Sequence, residues 1–485
     1  MPYLGPVPDE PVFEFGVASG EVTRGSVRLW THWTGPGPLH LTVRDGDHEV
    51  TSTEVDEEPD QPHVFRAVVD GLDPDVRYDY VFSSERSEAA GSFRTLPPDG
   101  VPLRFAVVSC AKFNAGYFNT FKLVAARDDL HFVLHLGDYI YEAGQVPRGT
   151  QTPSKDIGRP FEPFEECLTH DDYMTRYAQY RRDPDLQALH AKHAVWQTID
   201  DHELADNAWS GGSEDHDEAK DGPWAERLDG ALRAWEYWMP SGVHPSRGEP
   251  LSRSFSVGDL VRFVLLETRT HRDGRDVPPE RRSALGLDQR RWVEEALRES
   301  PCTWTFVACP SMLSSIHRDE MPDDVVEALR SLKLRHPTEP KPYHDRWDSF
   351  PAERDWLYAE MGESTSQVVV LSGDVHIAVE ADLEVDGTVV AHEWTTSSIT
   401  SQNLADKKGW AKNVESRPIV DHLVDTFPDL HWVDTDSHGF LVVTVAGDTA
   451  SCDWWSLETV QQPSDVAEIG HTATLSATMS TTPTG

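Results

Sequence analysis

The sequence predicts an α/β domain preceded by a small antiparallel β-sandwich. From about residue 102 to 450, short apolar runs that read as buried strands alternate with stretches of helical period at 119–129, 172–182, 288–299 and 352–361. From about 12 to 97 the apolar residues instead recur at every second position, as in VRLWTHW (27–33), LHLTV (39–43) and VRYDYVF (76–82), with turn chemistry such as RDGD (44–47) between the runs. Period-two patterning broken by frequent turns is what an antiparallel sandwich requires.

The sandwich carries a further mark at LDPDVRY (72–78). This resembles the Leu-x-Pro-x-x-x-Tyr tyrosine corner of fibronectin type III and related sandwiches, which implies that the Tyr78 hydroxyl bonds back to the backbone upstream. LPPDG (96–100) reads as the linker. The expected domains are therefore 1–98 for the sandwich and 99–456 for the α/β domain. After 457 the composition drifts to Ser, Thr, Pro and Ala, which predicts a flexible tail over 457–485. The stretches 143–165 and 204–222 are long, polar and Gly-rich, and are expected to rim a site.

Four apolar runs end in polar groups. FVLHL (132–136) leads into GDYIYE (137–142), where Asp138 and Tyr141 stand three residues apart. FAVVSC (105–110) ends in Cys110, VWQTI (195–199) runs into Asp200, Asp201, His202 and Glu203, and VVVLSGDVH (368–376) ends in Asp374 and His376. Ligands of α/β sheets bind at the carboxyl ends of strands, and uncompensated charges beside a core are costly. A metal ion is the compensation that this pattern points to. The ordinary alternatives are a core aromatic for Tyr141, a small buried hydrophobe for Cys110 and a hydrogen-bonded structural histidine for His202.

The order of these segments, strand-GDxxY, then DDHE, then SGDVH, resembles the calcineurin-like metallophosphoesterases, and within them the alkaline phosphatase D (PhoD-like) branch. FGVASG (15–20), LETRTHRDG (266–274), LGLDQRRWVEEAL (285–297), WDSFPAERDWL (347–357) and TTSSITS (395–401) extend the resemblance over most of the chain. Glu21 and Ser349-Phe350 depart from the Asp and Gly-Tyr of many relatives. The resemblance implies a metallophosphoesterase four-layer sandwich in which Asp138 bridges two metals. Cys110, Tyr141 and His376 would hold a trivalent iron, and Asp201, Asp374 and possible ligand Asn207 a calcium or other hard divalent ion. A hydroxide held by the metals would attack phosphorus. His202 would assist the leaving alkoxide with Glu203 holding it, and Arg269 would contact phosphate. The rival expectations are a strict phosphodiesterase acting on nucleotide, phospholipid or polymer diesters, and a non-catalytic binding module on a phosphatase-like fold.

Acids number 83 against 43 bases, a net charge of −40. Such a field repels nucleic acids and anionic membranes, leaving a small phosphoester as the expected partner, with no obligate protein partner evident. The acid excess is that of a solvated surface or of adaptation to high salt. No apolar run approaches a membrane span, and MPYLGPVPDEPVFEFG shows no secretory leader. A cytoplasmic location is expected, or an exported one if a twin-arginine segment has been trimmed. Five irregularly spaced cysteines predict no disulfide framework.

Overall fold

Side-chain alternation along the strands decides the layers. In Leu103–Val108, Leu103, Phe105 and Val107 enter one core while Ala106 and Val108 enter another, because successive side chains of a strand point to opposite faces. The computed structural model describes residues 13–148, 157–316, 321–332 and 345–477. Two sheets face each other across the first core, where Phe105 and Phe132 of one meet Phe263 and Phe306 of the other. Helices His170–Arg181, Pro184–Lys192 and Trp224–Trp238 cover the outside of one sheet. Gly286–Arg298 and Pro351–Gly362 cover the other. The result is the expected four-layer α/β sandwich.

The first sheet has nine strands, in the order Ala467–Ser476, Thr449–Leu457, Gly439–Ala446, Leu103–Val108, Phe132–His135, Ala194–Gln197, Val17–Gly20, Ser26–His32, Val64–Asp70. The second has seven, with Gln367–Gly373 between Trp304–Ser311 and Thr388–Thr395. Leu103–Val108, Phe132–His135 and Ala194–Gln197 run parallel as neighbours. Their carboxyl ends therefore open on one side, and Gln367–Gly373 ends nearby from the facing sheet.

The N-terminal β-sandwich is present, with a four-stranded sheet of Leu39–Asp45, His48–Val55, Arg77–Ser83 and Glu88–Arg94. The Asp73 N–H donates to the Tyr78 hydroxyl at 2.9 Å, closing the tyrosine corner. The other face of the sandwich is the end of the nine-stranded sheet. Val17–Gly20 pairs in parallel with Ala194–Gln197, so backbone hydrogen bonds cross the boundary and the two units share one sheet.

The flexible tail expected over 457–485 needs correction at 467–476. Ala467–Ser476 is a strand, antiparallel to Thr449–Leu457 along the whole of that strand. Its small polar side chains bury little, and composition alone therefore reads as disorder. What orders it is the backbone ladder of an open sheet edge, with Ala473 in the core and His471 bound to Glu380 at 2.5 Å and stacked on Trp432. The ends of the chain at 1–12 and 478–485, and 149–156 of the first rim stretch, lie outside the described residues. No described helix is long and apolar enough to cross a membrane. All five cysteines are buried and free.

Candidate metal centre

The four strand ends converge. Cys110, Asp138 and His376 place ligand atoms within 4.8 Å of one another, and Asp138, Asp201 and His202 form a second such group. Asp138 belongs to both, as a bridging carboxylate must. The Tyr141 hydroxyl donates to Asp138 Oδ2 at 2.7 Å and lies 3.4 Å from His376 Nε2. Asp138, Asp201, Asn207, Asp374 and His376 line a small cavity of about 50 Å3, and the Asn207 N–H donates to Asp201 Oδ2 at 2.7 Å.

Backbone strain marks the same residues. Of ten non-glycine residues with positive φ among those described, five are Cys110, Asp138, Asn207, Asp374 and His376. Left-handed backbone is disfavoured for side chains with a Cβ and persists only where the surroundings over-determine it, a pattern that gathers at functional sites. Here each sharp turn after a strand swings a ligand atom back over the strand end.

The donor set fits metal ions. His376 Nδ1 donates to the Gln402 carbonyl at 3.1 Å, leaving Nε2 facing the site, the usual way a ligating imidazole is oriented. Burial, followed by the Lys407 ammonium, pushes His376 well below its ordinary range and keeps it neutral. Burial and the neighbouring carboxylates push Asp374 well above its range. Burial likewise raises Asp138, with Asp201 and Asp200 opposing the pull of His202. The Cys110 thiol and Tyr141 phenol are raised by burial and by Asp138. Four potential anions thus oppose one another in a dry site, and a cation reverses each of these shifts.

His202 stands over Tyr141 with ring centroids 4.0 Å apart. Its Nδ1 donates to Glu142 Oε2 at 2.7 Å, not to Glu203. Burial alone would lower its pKa, but Asp201, Glu142 and Asp138 outweigh burial and hold it well above the usual range. The expected role of Glu203 is therefore corrected. Its carboxylate accepts the N–H groups of Asp138, Tyr139 and Asp200 at 3.0, 2.6 and 2.8 Å, pinning two strand ends together.

Arg269 is corrected as well. It is 0% exposed, donates to Asp200 Oδ1 at 2.5 Å and is ion-paired with Asp345, so its guanidinium is enclosed by protein and does not face the cavity. The arginine that lines the small cavity is Arg346, beside Asp345. Arg346 makes no side-chain hydrogen bond among the described residues and lies 3.7 Å from Asp348. Sequence reasoning missed Asp345, Arg346 and Glu142. Only Glu142 lay inside a string already singled out.

A four-layer α/β sandwich that gathers thiol, phenol, imidazole and carboxylates at its strand ends defines a metal-dependent phosphoester hydrolase. Residues 105–454 match the family described as PhoD-like phosphatase, and residues 5–97 match that family's N-terminal domain. The chain belongs to the PhoD-like phosphatase family. It is 29% identical to alkaline phosphatase D of Bacillus subtilis (strain 168) over 494 aligned positions, covering 93% of this chain and 78% of the relative. It is also similar to a solved structure of PhoD, with a TM-score of 0.80 at 25% identity, covering 98% of this chain and 92% of the other.

Proposed function

We propose that the protein is an alkaline phosphatase and phosphodiesterase whose catalysis takes place where Cys110, Asp138, Tyr141 and His376 hold one metal and Asp138, Asp201, Asn207 and Asp374 hold another. The observation that supports this most is the convergence of those donors from four strand ends, with Asp138 common to both groups. Thiolate, phenolate and imidazole suit Fe3+, and the all-oxygen set suits Ca2+. Bound ions supply positive charge to the phosphate oxygens and lower the pKa of water. The chain's own residues do the rest.

Arg346, on the wall of the small cavity, is placed to hold an equatorial phosphate oxygen with its planar fork. His202, paired through Nδ1 with Glu142, is placed to give its Nε2 proton to the departing alkoxide, while Glu142 fixes the ring and compensates its charge. Glu203 and the Arg269–Asp200–Asp345 cluster hold the strand ends in register and touch no substrate. The test is hydrolysis of p-nitrophenyl mono- and diesters at alkaline pH with iron and calcium supplied, beside Asp138→Asn. Both esters should be turned over, and the variant should lose metal and activity together. Metal-loaded protein that turns over neither would sink the proposal in favour of a binding module, and turnover of the diester alone would favour the strict phosphodiesterase.

A further inference from the structure

A larger cavity, of about 270 Å3, adjoins the small one past Tyr141, His202 and His376, and Lys112, Lys407, Ser401 and Gln402 also line it. Lys407 borders both cavities, whereas Lys112 borders only the larger. The chain holds ten lysines among 485 residues at a net charge of −40, so two at one cavity stand against the trend of the surface. Four acids also line the cavity: Asp206 and Asp215 stand on its wall, and Glu142 and Glu166 are engaged elsewhere. Glu142 accepts from His202 at 2.7 Å, and Glu166 binds Arg148 and, at 2.8 Å, Arg227.

Both lysines are mounted firmly. The Lys112 ammonium lies 5.4 Å from the centre of the Tyr141 ring, within range of a cation–π contact. The Thr400 hydroxyl donates to the Lys112 carbonyl at 2.8 Å. Two residues on, Gln402 receives His376. Asn403 then caps Leu404–Lys408, accepting the Asp406 N–H at 3.0 Å and donating to the Asp436 carbonyl at 2.5 Å. His438 fastens Asp406 at 2.8 Å. The segment TTSSITS, which carries no chemistry of its own, thereby ties both lysines to the metal ligands.

We propose that Lys112 and Lys407 form an anion subsite that receives a second negative group, a carboxylate or phosphate, carried by the substrate on the leaving-group side of the scissile phosphate. The leaving-group side follows from His202, the proton donor of the proposed mechanism, which stands where the two cavities meet. The subsite rests on that mechanism, and its test separates the two. Glycerol 3-phosphate and 3-phosphoglycerate differ only in whether the far carbon is an alcohol or a carboxylate. With the metal-loaded full chain, kcat/KM should favour 3-phosphoglycerate by about tenfold, mainly through KM, and the preference should shrink in 0.5 M salt. The ratio should fall toward one in Lys112→Gln/Lys407→Gln and persist in Lys407→Arg. A wild-type ratio near one, or an equal fall for both esters in the double variant, overturns the subsite and leaves the hydrolase intact. Turnover of neither ester by protein that hydrolyses p-nitrophenyl esters overturns the subsite alone, and turnover of none of these esters overturns both.

Discussion

Asp200 and Asp201 are adjacent in sequence and almost equally buried, yet they turn to two different settings, joined by Arg269, whose Nη2 also lies 3.8 Å from Asp201. Asp200 turns to Arg269, which also holds Asp345, while Arg272 donates to Thr268 and approaches Asp345. Asp201 turns to the cavity, where it shares space with Asp138 and Asp374. Burial pushes Asp200 only to about 6, because Arg269 pulls the other way, whereas Asp138 and Asp374 are driven well above their range. Removing one partner of a buried, satisfied ion pair destabilises a fold. In the Arg269 cluster the chain supplies its own cation, and the cluster serves stability. At the strand ends the cation it supplies, His202, does not offset the burial of Asp138 and Asp374, and the site stays costly until metal binds.

The largest expected effect falls on the uncompensated side. Asp138→Asn should lower kcat/KM by at least about 10^4-fold, about 5.5 kcal/mol, and abolish metal binding read by elemental analysis. The metal-free variant should nevertheless be no less stable than the metal-free parent. Asp138 and Asp374 have folded-state pKa values above their unfolded ones, so above about pH 4 these two groups hold more protons in the metal-free fold than in the unfolded chain, and their contribution to stability falls as pH rises. Asparagine removes one of those groups and should flatten that fall in a denaturant series. A metal-free variant clearly less stable than the metal-free parent would erase the contrast.

Arg269→Met should do the reverse, lowering stability by roughly 3–5 kcal/mol because Asp200 and Asp345 lose their shared cation. If thermal unfolding did not move while KM rose, Arg269 would be a substrate contact after all, and the two clusters would not differ in kind. Smaller again is Glu142→Gln, expected to cost about 10–100-fold in kcat/KM, about 1.4–2.7 kcal/mol. It should also shift the alkaline limb of the rate profile. In the metal-free protein Asp201, Glu142 and Asp138 hold His202 above its usual range against burial, and with metal on Asp138 and Asp201 the pull of Glu142, bonded to Nδ1, remains. Activity that needs this proton is lost as pH rises through the His202 pKa, so removing Glu142 moves the limb to lower pH. An unmoved limb would assign Glu142 a purely structural place.

The sequence made the proposed ligands legible because each follows an apolar strand in a polar string: Cys110, Asp138, Tyr141, Asp201, Asp374 and His376. Direction within those strings was not legible. Glu142 takes the role expected of Glu203 because a turn at 201–204, closed by the Leu204 N–H on the Asp201 carbonyl at 2.8 Å, sends Glu203 back to the strand ends and leaves His202 facing Glu142. Arg269 and Arg346 exchange places for a related reason. An arginine after a strand looks the same in sequence whether acids from distant segments enclose it or leave it facing a cavity. The strand Ala467–Ser476 escaped because edge pairing uses backbone groups, which every residue carries.

A residue outside both clusters offers the mildest way to sharpen the contrast. Tyr78→Phe keeps a buried ring in the sandwich core and removes only the acceptor of the Asp73 N–H. Asp73 is exposed, so its freed N–H can bond to water, and the loss should be about 1 kcal/mol, with kcat unchanged. The form of the unfolding curve carries the further information. Because Val17–Gly20 is paired to Ala194–Gln197, three residues before Asp200, the sandwich and the catalytic sheet should melt in one transition, which this variant shifts as a whole. A transition that splits in two, with the small sandwich melting first and the metal centre untouched, would show that the shared sheet joins the two units without coupling their stability.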